Sequence, residues 1–196
     1  MNAAAVLEAR AEQGRLPLLS RLIPAQVALL TVGLLTPSFS ICVDLCLSVA
    51  VMTWSDNILT TGDQLRDLLS GTRTIAVLGI KTELQSGQPA FYVPSYMQNA
   101  GYKIIPVPVY YPDVTEILGE KVFRKLSDIP DDVDMVNVFR RPQDIPPHLD
   151  DILARKPKSV WMQLGIYHDE VAEQLAQAGI KVVQDRCLMV DHRRLM

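Results

Sequence analysis

The chain has 196 residues, 48% hydrophobic and 21% charged, with a formal net charge of -3. That length suits one well-buried core with an appendage, and the mild acidity gives no basic footprint for duplex nucleic acid. The three cysteines, Cys42, Cys46 and Cys187, form neither an even disulfide framework nor a zinc-ligand pattern, which suits a reducing, cytoplasmic compartment.

Residues 1–51 differ from the rest. From Leu22 to Trp54 the chain is almost continuously apolar, with Asp44 its only charge and Pro24 and Pro37 interrupting it. Three readings stand for this stretch. It is an extension outside the folded unit, upstream of a start at Met52. It is a targeting peptide, since Arg10, Arg15 and Arg21 precede the apolar run. Or residues 22–54 include a membrane helix, for which about twenty apolar residues are required. Organelle targeting follows only if the extension is genuine.

Residues 60–196 read as the folded domain. Thr61-Gly62-Asp63-Gln64 has the form of a capping box, Leu65, Leu68 and Leu69 share one helical face, and Gly71 ends the helix. Thr74-Ile75-Ala76-Val77-Leu78-Gly79 reads as a strand buried on both faces. Pro89 opens a helix over 90–100 that Gly101 closes. Tyr102 to Pro108 reads as a second strand whose prolines mark its carboxyl end. Glu120 to Leu126 reads as one or two helical turns and Asp134 to Phe139 as the third strand. A helix over 147–155, a strand over 159–163, a helix over 169–178 and a last strand over 180–184 follow. Five strands alternating with helices predict an α/β fold, a Rossmann-like doubly wound parallel five-stranded sheet with helices on both faces.

Such a sheet binds ligands beyond the carboxyl ends of its strands. A dinucleotide fingerprint is missing there, because Gly79 stands alone and no acid follows the second strand until Asp113. Two features still suit a phosphorylated nucleotide. Lys81, Ser86 and Gly87 precede a helix start, and Arg140-Arg141 ends the neighbouring strand with planar donors matched to phosphate oxygens. The plain reading of each is a solvated loop.

Thr74-Ile75-Ala76-Val77-Leu78-Gly79, Gly101-Tyr102-Lys103-Ile104-Ile105-Pro106-Val107, Ile117-Leu118-Gly119-Glu120-Lys121-Val122, Val138-Phe139-Arg140-Arg141, Trp161-Met162-Gln163-Leu164-Gly165 and Asp185-Arg186-Cys187-Leu188-Met189 occur in that order. Together they resemble the small stand-alone coenzyme A-binding proteins, which are similar to the nucleotide-binding domain of the succinyl-CoA synthetase α subunit. The resemblance covers residues 65–195. It implies a fold that holds the ADP part of CoA at the strand ends. Gly79, Ile80 and Lys81 would form the first loop, and Pro106, Val107 and Pro108 the wall near the adenosine. Val138, Phe139, Arg140 and Arg141 would form the next wall, and Gln163, Leu164 and Gly165 the far side. Ile80 stands where the family commonly has a serine, Gln88 near its arginine, and Val107-Pro108-Val109 replaces its Val-Asn-Pro. Tyr110 to Thr115 is an insertion.

Chemistry is less legible. His168, before Asp169-Glu170, reads as an N-cap or surface residue, His192 as part of a solvated charged tail, and His148 as a loop or first-turn residue. Cys187 reads as an inert thiol, with a thiolate activated by Arg186 as the alternative. The resemblance points to a binding module, since the ligases that own this domain carry their phosphoryl-transfer histidine elsewhere. The leading expectation is thus a non-catalytic carrier, sensor or regulatory protein for CoA or acyl-CoA. The alternatives are an enzyme acting on a nucleotide-linked substrate through Cys187 or His168, and a protein-interaction subunit with a vestigial pocket. Homo-oligomerisation is left open.

Overall fold

The computed structural model describes residues 53–196. The three readings for residues 1–51, and Cys42 and Cys46, lie outside the described residues. Among the described residues no helix is long and apolar enough to cross a membrane.

Helix α1 (Gly62–Ser70) starts on the predicted capping box: the Gln64 N–H donates to Thr61 Oγ1 at 3.4 Å and the Thr61 N–H to Gln64 Oε1 at 3.1 Å. Strand β1 (Thr74–Leu78), helix α2 (Pro89–Asn99) and strand β2 (Lys103–Val107) follow. A small hairpin, β3 (Glu116–Ile117) and β4 (Glu120–Lys121), precedes β5 (Met135–Val138). Helix α3 (Leu149–Arg155), β6 (Ser159–Met162), α4 (Asp169–Gln177), β7 (Lys181–Val183) and α5 (Leu188–Leu195) complete the fold. The five long strands form one sheet in the order β2-β1-β5-β6-β7, every pair parallel, as the sequence predicts.

Alternation along each strand divides the core in two. Ile75 and Val77 of β1 pack with α1, α2 and α5 through Leu65, Leu69, Val93, Met97 and Leu188. Ala76 and Leu78 face the opposite layer, where α3 and α4 contribute Leu149, Ile152, Val171 and Leu175. Burial on both faces is why these strands carry near-continuous apolar runs.

Three expectations are corrected. Residues 120–125 are not helical, and Leu126 only opens a short 3-10 turn that runs to Asp128. They begin as β4, whose turn places Leu118 and Gly119 at φ +56° and +73°, the geometry of a two-residue hairpin loop with both central residues left-handed. Glu83 Oε1 accepts from the Leu118 N–H and Gln98 Nε2 donates to its carbonyl, which holds a leucine in a conformation it rarely adopts. Second, Pro106 lies inside β2, in register with Val77, rather than at its end. The strand is outermost, so the missing donor would have faced outward, and the Pro106 carbonyl accepts from the Phe123 N–H at 2.9 Å. Third, His192 is not in a solvated tail. It lies in α5, between Tyr96 and Tyr102, with Nδ1 3.0 Å from the Tyr96 hydroxyl.

The other outer strand is also covered. Ile58 bridges to Val182 in parallel, the Leu59 N–H donates to the Val182 carbonyl at 2.8 Å, and Asn57 Nδ2 donates to the Ala176 carbonyl.

The amino end of the sheet is tied by Asp134. Its carboxylate accepts from the Arg73 and Thr74 N–H groups at 2.9 and 3.0 Å and pairs with Lys158 Nζ at 2.7 Å. Partial burial opposes ionisation, but the Lys158 contact and the two amides outweigh it and hold the pKa below its ordinary value. A depressed folded pKa contributes stability that is present above the unfolded value of about 3.9 and is lost as pH falls through the folded one. Asp134→Asn should therefore cost about 1 kcal/mol at pH 7 and flatten the acid limb. Urea unfolding at pH 7 and pH 3 checks this, and equal slopes for the two proteins would refute it.

Candidate functional site

Strand order reverses between β1 and β5, the neighbours whose helical connections leave to opposite faces. This switch point is where an open sheet leaves a crevice, and the loops after these strands carry the site's cations.

Gly79 ends β1 at φ +89°, and a Cβ there would stand 2.6 Å from the Phe139 carbonyl oxygen. Only glycine lets the two strand ends approach so closely. Ile80 turns into the core, so it lines no cleft. The Lys81 N–H donates to the Ala90 carbonyl at 3.1 Å. That carbonyl is free because its normal helical partner would be the N–H of residue 94, which is proline. The proline inside α2 thus creates the anchor for the first loop.

The expected phosphate-receiving helix start is largely spent. Pro89 has no N–H, and the Phe91 and Tyr92 N–H groups both donate to the Gln88 carbonyl. The cations carry the site instead. Lys81 Nζ lies 5.3 Å from the ring centre of Tyr110 and donates to the Tyr111 hydroxyl at 3.2 Å, which donates to Gln85 Oε1 at 2.6 Å. From the β5 side, the Arg140 guanidinium lies 5.4 Å from the same Tyr110 ring. Among the described residues Lys81 has no carboxylate partner. Arg140 meets Asp144 only at 3.5 Å and leaves its buried Nε unpaired, because Arg141 holds Asp144 at 2.8 Å. Two under-neutralised cations therefore converge on one tyrosine. The Arg140 guanidinium lowers the Tyr110 phenol below its ordinary pKa.

The inserted segment is built rigidly. Tyr111 has φ +66°, an outlier for a bulky residue. Arg124 offsets the strain by donating to the carbonyls of Tyr111, Pro112 and Val114 at 3.1, 2.8 and 2.5 Å. Tyr110 and Pro112 of this segment line one of two clefts at the strand ends. One, of about 910 Å³, is lined by Pro108, Tyr110, Arg124, Pro147 and His148 among others. The other, of about 460 Å³, is lined by Lys81, Arg140 and Arg141 and by Tyr92, Phe139, Leu164 and Ile166 among others. Burial, then the Arg140 charge, depresses the His148 pKa.

The structure thus brings Lys81, Phe139, Arg140, Arg141, Gln163, Leu164 and Gly165 to one cleft and Pro108 to the other. Pro106 lies inside β2, and Val107 and Val138 end β2 and β5 with their side chains buried in the core, so they line neither cleft. Gln163 touches the smaller cleft, but its amide is committed: Nε2 donates to Asn137 Oδ1 at 2.9 Å and Oε1 accepts from the Leu188 N–H at 3.3 Å. Tyr110, Tyr111 and Arg124 were not singled out as site residues from sequence. The available signal was an aromatic pair just beyond a strand end opposite two cationic ones.

The remaining chemical candidates have structural partners. His168 caps α4 through Nδ1, which accepts from the Val171 N–H, and Arg186 forms a two-point pair with the buried Asp191 at 2.8 and 2.7 Å. Cys187 is a free, half-buried thiol in the wall of the smaller cleft.

An open parallel sheet with a cationic switch point is the architecture of nucleotide-binding α/β domains. Within that class, the chain belongs to the CoA binding domain family, whose model matches residues 73–193. The uncharacterized protein YneT of Bacillus subtilis is 33% identical over 129 residues, 66% of this chain and 92% of that one. Among solved structures, the Thermus thermophilus protein described as cell-free ID.343 shares 42% identity and a TM-score of 0.64, covering 70% of this chain and all of that one. A hypothetical protein from Pyrococcus horikoshii OT3 shares 29% identity and a TM-score of 0.63, over 69% of this chain and 92% of that chain.

Proposed function

We propose that this protein binds coenzyme A or an acyl-CoA at the switch point and acts as a non-catalytic carrier, sensor or regulatory module. The observation that carries the reading is the convergence of Lys81 and Arg140, from the ends of β1 and β5, on the Tyr110 ring with incomplete neutralisation. A diphosphate supplies the missing charge and accepts from the Lys81 ammonium and the Arg140 guanidinium. Family membership supports CoA over other diphosphates.

The engagement of His168, His192 and Arg186 in capping, packing and pairing supports a binding role over catalysis. Coverage of both outer strands, by Ile58 on β7 and by Phe123 on β2, argues against strand addition by a partner protein.

Titration calorimetry with CoA, NAD and ATP tests the proposal. CoA should bind with the highest affinity, and Lys81→Ala with Arg140→Ala should weaken it at least a hundredfold, since charged hydrogen bonds contribute about 1.5–3 kcal/mol each. Absence of CoA binding, or undiminished binding in the double variant, would sink the reading.

A further inference from the structure

We infer that Tyr110 is a positioning residue for the two site cations: its ring holds Lys81 and Arg140 at the ends of β1 and β5 while leaving their charge free for a ligand. This role rests on the CoA reading and extends it to a residue that acts through the cations rather than on the phosphates.

Two long cationic side chains of like charge need a partner that restricts their rotamers before a ligand arrives. A carboxylate would do so and neutralise them. An aromatic face attracts a cation through the ring quadrupole and leaves its charge uncompensated. Tyr110 offers its ring to both: Lys81 Nζ lies 5.3 Å and the Arg140 guanidinium carbon 5.4 Å from the ring centre, within the roughly 6 Å over which this attraction acts. Tyr111 adds a second tie to Lys81, with its ring centre 5.5 Å away and its hydroxyl accepting at 3.2 Å. The available carboxylate is diverted, because Arg141 holds Asp144 at 2.8 Å and leaves it 3.5 Å from Arg140.

Hydrophobic burial does not explain where this ring stands. Tyr110 is 54% exposed and belongs to neither core cluster. What places it is the backbone beside it. Tyr111 adopts φ +66°, a costly conformation for a bulky residue that persists only where the surroundings over-determine it. Arg124 supplies that restraint through the carbonyls of Tyr111, Pro112 and Val114, and the Tyr110 and Tyr111 rings meet edge to face with centres 6.4 Å apart. A strained and braced segment that carries an exposed ring onto two incompletely neutralised cations fits a functional constraint better than a packing one.

Calorimetry with CoA on the wild-type, Tyr110→Ala and Tyr110→Phe proteins tests this role. Tyr110→Ala should weaken binding about tenfold through the loss of two cation–π contacts, and Tyr110→Phe, which keeps the ring, should restore affinity to within about threefold of wild type. In an Arg140→Ala background, where one contact is already gone, Tyr110→Ala should cost only about threefold. Absorbance titration of the phenols adds a readout that a packing role would not move. Subtracting the Tyr110→Phe trace isolates the Tyr110 phenol, which Arg140 holds below its ordinary pKa, and a diphosphate on Arg140 should shift its ionisation to higher pH. Four results would each overturn the positioning role while leaving the CoA reading intact: undiminished affinity in Tyr110→Ala, an equal loss in both backgrounds, a phenylalanine variant as weak as the alanine one, or a phenol unmoved by CoA. A wild-type protein that binds no CoA would overturn both.

Discussion

Replacement of Gly79 by alanine should destabilise the protein by about 3 kcal/mol or more, among the largest effects of any single methyl group in the molecule. Two costs add. At φ +89° an L-residue carries a left-handed penalty of about 1–2 kcal/mol. The new Cβ would also stand 2.6 Å from the Phe139 carbonyl oxygen and 3.1 Å from Arg140 Cδ. The first of these is backbone, held in place because the Phe139 N–H donates to the Leu78 carbonyl at 2.9 Å. Relief requires the ends of β1 and β5 to separate, and those ends carry Lys81 and Arg140. Stability and CoA affinity should thus fall together. Gly101→Ala supplies the comparison, because Gly101 is also left-handed, at φ +98°, but nothing lies within 4 Å of its Cβ position. That variant should cost only about 1–2 kcal/mol. Urea unfolding of both variants separates collision from conformation, and equal losses would show that close approach at the switch point contributes nothing.

What could be read in advance follows from how local the cause is. The five strands are legible because burial on both faces demands apolar, β-branched runs such as Ile75 to Leu78, and α1 because its cap lies within four residues. The hairpin is less visible, since its turn uses Leu118-Gly119 where an Asn-Gly pair would be the usual signal, and the contacts that hold it come from Glu83 and Gln98. Helix α5 is hidden for a different reason. It buries Leu188 and the charged Asp191, and a buried acid interrupts the apolar stripe by which a helix is recognised. Only its pairing with Arg186, outside the helix, makes that burial tolerable.

The site divides in the same way. Sheet order turns strand ends into candidates, so Lys81 and Arg140 could be named from chain position alone. Their shared contact with Tyr110 could not, because it joins three segments at separations of about thirty residues. The prolines are the instructive intermediate case. Pro94 falls within the helix expected over 90–100, yet its missing N–H frees the Ala90 carbonyl that anchors Lys81. A local rule was present, but its consequence lay on another loop.

Gln163→Leu should cost about 3 kcal/mol, more than the loss of a polar residue at the rim of a binding cleft would. Gln163 is almost fully buried, and Asn137 is wholly so. Its amide joins β5 to the start of α5, through Asn137 Oδ1 and the Leu188 N–H. A leucine leaves both groups without partners in a dry interior, at about 1–3 kcal/mol for each. The Asn137 Nδ2 group already lacks a partner, so the substitution would isolate the entire Asn137 amide. This makes a double-mutant cycle decisive. With Asn137→Leu in the background, the orphaned amide is gone and only the Leu188 N–H remains to be satisfied. Gln163→Leu should then cost about 1–2 kcal/mol less than in the wild-type protein. Identical costs in the two backgrounds would mean that the two amides are not coupled. A ligand-binding role for the Gln163 side chain would show differently, as reduced CoA affinity in Gln163→Leu after its loss of stability is taken into account. The engaged amide predicts instead that the fully folded variant retains CoA binding close to that of the wild-type protein, because both polar atoms of the Gln163 side chain already bond Asn137 and Leu188.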